Sequence, residues 1–181
     1  MSAKVKTMIQ CIAVLACIAL VSGLLLGAVN IFTYVDPLQS TLDGFREDSG
    51  AEGEFTMIVD EKTAVDGSQG SIVYYARSTD GVHAFLASAV SGYGGEFQLY
   101  VYIRDGKIYK IVTGTNGDTF VYKLDDADYY SNFIGKDLSS LDTLSVDKVS
   151  GATHTSEAVK NAVDAAVKYY NANVAGGENN G

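Results

Sequence analysis

The stretch EFQLYVYIRDGKIYKIVT, residues 96–113, decides the expected fold. Its first half alternates polar residues and tyrosines with the apolar residues Phe97, Leu99, Val101 and Ile103. An alternation with a period of two indicates a strand that turns one side to a core. Asp105-Gly106 then supplies two positions that tolerate positive φ, as a two-residue hairpin turn requires. The stretch therefore predicts a β-hairpin of Glu96–Arg104 and Lys107–Thr113.

Further strand-like runs come before this hairpin, and helical patterns come after it. The runs are Phe55–Val59, Ser71–Ala76 and His83–Val90, and His83 is interpreted as a structural residue within its strand. The acidic run Leu124–Phe133 predicts a short helix with a solvated face that binds no metal. An amphipathic helix is predicted over Ser156–Tyr170, with one apolar stripe of Val159, Val163, Ala166, Val167 and Tyr170. Strands followed by helices predict an α+β domain.

An uncharged apolar segment precedes this domain. Residues 8–32 carry no charged side chain, and about 25 residues suffice for a transmembrane helix. Lys4 and Lys6 lie before the segment and acidic residues follow it. This distribution predicts a protein anchored in the cell membrane, with its N-terminus in the cytoplasm and its domain outside the cytoplasm. Three alternatives are a cleaved signal peptide, a lipoprotein signal ending at Cys17, and a buried core helix.

The predicted organisation has five parts. They are a cytoplasmic tail (1–7), a single transmembrane helix (8–32), a polar linker (33–55), one folded domain (56–173) and a disordered tail (174–181).

Charge and composition exclude several functions. The chain has 13 Lys and Arg against 22 Asp and Glu, a net charge of −9, and two of the lysines precede the apolar segment. Such an acidic domain binds nucleic acid poorly, because neutralising the phosphates requires clustered lysine and arginine side chains. Both cysteines, Cys11 and Cys17, lie in the apolar segment, so the domain has no disulfide, iron–sulfur cluster or cysteine nucleophile. With only two histidines, a metal centre is not expected.

A turn of small residues stands before the C-terminal helix. It reads DKVSGATHTS, residues 147–156. Helix N-termini carry unpaired amides and the positive end of the helix dipole, and Gly151 and Ala152 allow a ligand to approach the backbone. Such a turn binds an anion, commonly phosphate. The alternative is that its hydroxyl groups only cap the helix.

The residues 147–153 resemble the Asp-x-x-Ser/Thr-Gly-Ala-Thr motif of the FMN-binding domain family. This family includes the G subunit of the Rnf electron-transport complex and the C subunit of the sodium-translocating NADH:quinone reductase. The resemblance implies that a flavin transferase attaches FMN through its phosphate to Thr153. It also implies that the transferase recognises Asp147, Ser150, Gly151 and Ala152, and it places Thr155 in the helical continuation.

A second resemblance lies upstream. Gly92-Tyr93-Gly94-Gly95, a strand and then Asp105-Gly106-Lys107-Ile108 are similar to the family's Gly-Tyr-Gly-Gly and Asp-Gly-Lys-Ile hairpin. The resemblance implies that Gly94 and Gly95 lie in the cofactor site, where Tyr93 either stacks near the flavin or only packs.

The chain departs from the family after the hairpin, where Asp118-Thr119-Phe120 stands in place of Glu-Thr-Pro and the following glycines are absent. Thr119 is the residue expected to face the flavin there. His154 is interpreted as a solvent-facing residue at the helix start.

Taken together, these patterns predict a membrane-anchored extracytoplasmic flavoprotein that relays electrons, either among membrane electron-transport subunits or to another extracytoplasmic carrier. The alternative is a cell-surface binding or adhesion module without flavin.

Overall fold

The computed structural model describes residues 3–33, 36–92 and 95–176, and the chain divides into two units, Met1–Ser40 and Thr41–Gly181. In the first unit, helix α1 spans Ala3–Thr33. From residue 8 to its end it carries no charged residue. Within the described part of the chain, it is the helix whose length and composition suit a membrane span, and a signal sequence would share these properties.

The second unit is built on a six-stranded sheet in which every pairing is antiparallel. Its strands are β1 (Phe55–Val59), β2 (Thr63–Ala64), β3 (Ser71–Ser78), β4 (His83–Ser91), β5 (Gly95–Arg104) and β6 (Lys107–Thr113). The order across the sheet is β1-β3-β4-β5-β6, and β2 pairs with β3. With the helices described below, this confirms the predicted α+β class.

The hairpin of β5 and β6 forms as the sequence predicts. Arg104 pairs with Lys107 at its end. Asp105 and Gly106 in the turn have φ values of 52° and 68°, so both central positions use the left-handed region.

Helix α4 (Thr153–Tyr170) packs on one face of the sheet. The four alternating apolar residues of β5 and the apolar stripe of α4 are buried there in one core cluster. Gly70, just before β3, permits this close packing, since a Cβ atom on it would lie 2.3 Å from the Asn161 carbonyl oxygen of α4. On the same face, the buried His83 Nδ1 lies 2.8 Å from the Tyr75 hydroxyl, which agrees with a structural role.

Helix α2 (Pro37–Ser49) lies within the segment that composition assigns to a linker. The Asp36 side chain accepts a hydrogen bond from the Leu38 amide at its start. Phe45 is fully buried against Tyr100 and Tyr102, which belong to the face of β5 opposite α4. The tyrosine side of the sheet is therefore a second core, and part of the expected spacer is folded on it.

The predicted acidic helix is divided in two. Helix α3 spans Val121–Asp126, and a 3-10 turn spans Tyr129–Asn132. Asp128 between them has φ 48°, which breaks the α-helical hydrogen bonding. The aspartates of this segment are exposed, as expected for a solvated face.

The C-terminal helix begins three residues earlier than the sequence predicts and ends in a π-helical turn, Asn171–Ala175. Val174 of this turn is buried. Residues 177–181 of the predicted tail lie outside the described residues.

Replacement of Phe45 tests the packing of α2. Phe45→Ala removes a fully buried ring from the second core, so we expect the free energy of unfolding to fall by about 3–5 kcal/mol. Urea denaturation of the protein in detergent, followed by circular dichroism, measures this change. Tyr122→Ala, at a residue that is 56% exposed, is the control, and an equally small effect at both positions would contradict the packing.

Candidate functional site

The residues 147–153, called the motif turn below, bend sharply before α4. The Ala152 amide donates to the Val149 carbonyl at 3.0 Å, which closes the turn. Gly151 has φ 75°, a conformation that side chains with a Cβ rarely adopt. The turn therefore requires glycine at this position for a conformational reason.

A polar stripe on α4 holds the segment that leads into the motif turn. This segment, residues 142–149, is called the strap. Ser156 Oγ accepts from the Val149 amide at 3.0 Å, and Lys160 Nζ donates to the Val146 carbonyl at 2.6 Å. The Thr143 hydroxyl donates to Asp164 Oδ1 at 2.9 Å. Because the three α4 residues are spaced by four, they form one line along the helix and fix the course of the strap.

An exposed ion pair supplements this line. Lys148 Nζ lies 3.3 Å from Glu157 Oε2, and both side chains are more than one-third exposed. A pair of this kind adds little stability. The three hydrogen bonds to α4 are therefore the main attachment of the strap.

The first turn of α4 is not closed by a capping side chain. Ala152 occupies the N-cap position and offers no side-chain acceptor to the helix amides. Ser156, which is buried, instead donates its hydroxyl to the Ala152 carbonyl at 2.9 Å. The interpretation that the hydroxyl cluster only caps the helix therefore lacks its expected contact.

The hydroxyl groups around the motif turn differ in exposure. Ser150 and Thr153 are exposed, whereas Thr155 and Ser156 are fully buried. Within the described residues, the Thr153 side chain takes part in no hydrogen bond. Thr153 is therefore the helix hydroxyl that an external reactant can reach.

A buried carboxylate lies behind this first turn. Asp118 is 6% exposed, and its Oδ2 accepts from the Ser91 hydroxyl at 2.6 Å and from the Thr155 hydroxyl at 2.9 Å. Its Oδ1 accepts from the Phe120 amide at 2.9 Å. The carboxylate thus joins the end of β4, the loop after β6 and the start of α4.

Burial raises the pKa of Asp118, but other contacts outweigh this effect. Hydrogen bonds from Ser91, the Phe120 amide and Thr155, together with the charge of His154, bring the pKa below its ordinary value. The group is therefore a carboxylate at neutral pH.

Gly92, directly after β4, approaches the same place. A Cβ atom on Gly92 would lie 3.0 Å from the His154 ring, so the two residues are in close contact. Gly95 is exposed with φ 75° and begins β5. Tyr93 and Gly94 lie outside the described residues, so their predicted roles stay predictions.

Lys123 of α3 brings a cation to the motif turn. Its Nζ donates to the Gly151 carbonyl at 3.2 Å and lies 5.2 Å from the centre of the Phe120 ring. The predicted N-terminal anion site therefore has a positive side chain beside it.

The predicted site residues are brought together only in part. The motif turn, Thr155 and the end of β4 converge, with Asp147 and Ser150 exposed on the turn and Ala152 buried beneath it. Thr119 is exposed beside Asp118, and in the described residues it is Asp118 that contacts α4. Sequence reasoning missed the supporting roles of Asp118, Ser91 and Lys123, and it counted Ser156 only among the hydroxyl groups of the turn. For Asp118, the family's acidic residue at the same place in the loop is the signal that could have found it.

Residues 92–168 match the family model described as FMN-binding domain, and this part of the chain belongs to that family. The match begins at the glycine-rich turn and runs into α4, so it contains the hairpin, the strap and the motif turn. Searches of curated proteins and of solved structures found no match. The chain thus contains an FMN-binding domain, and a flavin-binding role follows from it.

The pKa of Asp118 predicts how stability depends on acid. A carboxyl group with a lowered pKa stabilises the fold above its unfolded pKa and loses this contribution as the pH falls through its folded pKa. Asp118→Asn should therefore lower the free energy of unfolding at pH 7 by about 1–3 kcal/mol. The difference from wild type should shrink below about pH 4.

Urea denaturation at a series of pH values measures this difference. Asp126→Asn replaces an exposed carboxylate and is the control, for which we expect a change within about 0.5 kcal/mol. A wild-type advantage over Asp118→Asn that persists unchanged at pH 2 would contradict the assigned hydrogen bonds.

Proposed function

We propose that the protein is a membrane-anchored extracytoplasmic electron carrier with FMN bound covalently, through its phosphate, to Thr153. The observation that carries the proposal is the position of Thr153. It is an exposed hydroxyl at the start of α4, inside the region that belongs to the FMN-binding domain family.

The surroundings of Thr153 suit a phosphate. The α4 amides have no side-chain cap, the helix dipole favours an anion at this end, and Lys123 places an ammonium group at the Gly151 carbonyl. The missing side chain of Gly151 leaves room for this ammonium group, which would lie 2.7 Å from a Cβ atom at that position. In the described structure the residues therefore fit the phosphate group of FMN.

The attachment is a phosphoryl transfer. The Thr153 oxygen forms a bond to the phosphorus of the FMN portion of flavin adenine dinucleotide, and the bond to the AMP oxygen breaks. The threonine proton goes to a base and AMP leaves. Because a phosphate monoester is unreactive, an activated pyrophosphate donor and a flavin transferase are both part of the proposal, with Asp147 and the 150–152 run as the recognised residues.

FMN in this position supplies one- and two-electron transfer, while the protein fixes its location and surroundings. A covalent tether prevents the loss of the cofactor outside the cytoplasm. The proposed electron partners are membrane subunits of an Rnf-type complex or another extracytoplasmic carrier. The maturation partner is the transferase.

Replacement of Thr153 tests the attachment. Thr153→Ala, co-expressed with a flavin transferase, should lose the flavin fluorescence that wild type shows in a denaturing gel, because no acceptor oxygen remains. Intact-protein mass spectrometry gives a second readout. Thr115→Ala removes an exposed hydroxyl from a neighbouring loop and should stay fluorescent.

The same assay tests whether the transferase recognises Asp147. We expect Asp147→Ala to fold but to carry much less covalent flavin than wild type. A fluorescent Thr153→Ala product would refute the assignment of Thr153 as the attachment site. A wild-type protein that remains colourless beside an active transferase would favour the adhesion module instead.

The membrane orientation has an independent test. With Cys11 and Cys17 changed to alanine, Gln69→Cys places one thiol at an exposed position of the domain. A membrane-impermeant maleimide should label it on intact cells, because Lys4 and Lys6 favour a cytoplasmic N-terminus. Ser2→Cys in the same background should react only after permeabilisation, and the reverse pattern would refute the orientation.

A further inference from the structure

We infer that Asp118 is a positioning residue that holds the first turn of α4 so that the Thr153 hydroxyl faces the modifying enzyme. This inference rests on the proposed attachment of FMN to Thr153. It assigns to the buried Asp118–Ser91–Thr155 cluster a function in the maturation of the protein.

The cluster joins parts of the chain that are distant in sequence. Thr155 and Asp118 are 37 positions apart, and Ser91 and Asp118 are 27 apart. The Asp118 loop is itself fixed, since the Asn116 side chain accepts from the Asp118 amide at 3.1 Å. The backbone of Asp118 is therefore fixed within its own loop, so its carboxylate can fix the positions of Ser91 and Thr155.

A carboxylate is suited to this place because both hydroxyl groups donate to the same oxygen, Oδ2. An ionised carboxyl group only accepts hydrogen bonds, so two donors can meet at one oxygen without conflict. An asparagine of the same shape either turns its amide nitrogen towards the two hydroxyls or leaves the Phe120 amide without its acceptor. Asp118→Asn therefore loses either the acceptor of the two hydroxyls or the acceptor of the Phe120 amide, while it preserves volume.

The link to Thr153 follows from helix geometry. Residues two positions apart in an α-helix point about 200° apart, so a side chain held inwards turns its second neighbour outwards. Thr155 is fully buried on Asp118, whereas Thr153 is exposed. The bond from Thr155 to Asp118 thus sets the rotation of the first turn that presents Thr153.

Ser91 extends this control to Gly92. The next residue, Gly92, is the one in close contact with the His154 ring. Through Ser91, Asp118 fixes the end of β4 against the residue that follows Thr153. One carboxylate therefore holds both the end of β4 and the first turn of α4.

The test measures flavinylation kinetics on the full-length protein in detergent, with purified transferase and flavin adenine dinucleotide. For Asp118→Asn we expect the kcat of the transferase to fall about tenfold, because the acceptor hydroxyl is misplaced. The KM of the transferase for the protein should change by less than about twofold. Partial unfolding has a different signature, since it lowers the concentration of competent substrate and raises the apparent KM. Thr155→Val should show the same fall in kcat.

The double variant Asp118→Asn/Thr155→Val should be no slower than Asp118→Asn alone, since Asp118→Asn already disturbs the contact that Thr155→Val removes. Asp80→Asn is the matched control. Its carboxylate binds Arg104 and the Glu52 amide beside the β3–β4 turn, at the other end of β4 from Ser91, and its kcat should equal that of wild type.

The outcomes separate the two proposals. A labelled wild type with an unchanged kcat in Asp118→Asn, a change in KM alone, or multiplicative effects in the double variant would overturn the positioning role. An equal loss in Asp80→Asn would do the same. A wild type that takes up no flavin refutes the attachment and this inference together. If Asp118→Asn does not fold, Thr155→Val decides by the same kinetic criterion.

Discussion

The position of α4 against the sheet is the constraint on which the rest of the domain depends. The helix can approach closely because Gly70 has no side chain at the point where Asn161 passes. Once its apolar stripe is buried, its other sides face the strap and the loop that carries Asp118. The location of the motif turn is then a result of how the helix packs.

The helix therefore separates two tasks along its length. Its middle supplies core and strap contacts through residues such as Val163 and Lys160, which are both buried. Its first turn keeps Thr153 in solvent while the hydroxyls just after it are used inside the protein. A rigid base beneath an accessible side chain suits the proposed modification of Thr153, because an enzyme would have to reach the acceptor without unfolding its support.

The sequence predicted the elements whose signals are local. The alternation in β5, the Asp105-Gly106 turn and the apolar stripe of α4 each depend on neighbours in the chain, and all three are present in the structure. The motif turn was also recognisable, because its residues are contiguous and it lies in the region that matches the FMN-binding domain family.

Other features could not be predicted because they depend on distant contacts. Lys160 and Asp164 look like solvent-facing residues of an amphipathic helix, yet the strap covers them. A single phenylalanine in a polar segment does not predict a second core, and Phe45 finds its partners on β5. The predicted helix over 124–133 failed at one residue, Asp128, whose left-handed backbone no composition rule reveals.

The supports of the motif turn also limit how the motif could be moved to another protein. Besides the hydrogen bond inside the turn, the contacts that shape residues 147–153 come from Ser156 and Lys123, and the contact that orients the helix start comes from Asp118. None of these residues belongs to the seven-residue motif. A heptapeptide moved to another protein would keep its sequence and lose its conformation. The smallest unit that could be transferred is therefore α4 together with the strap and the loop that carries Asp118.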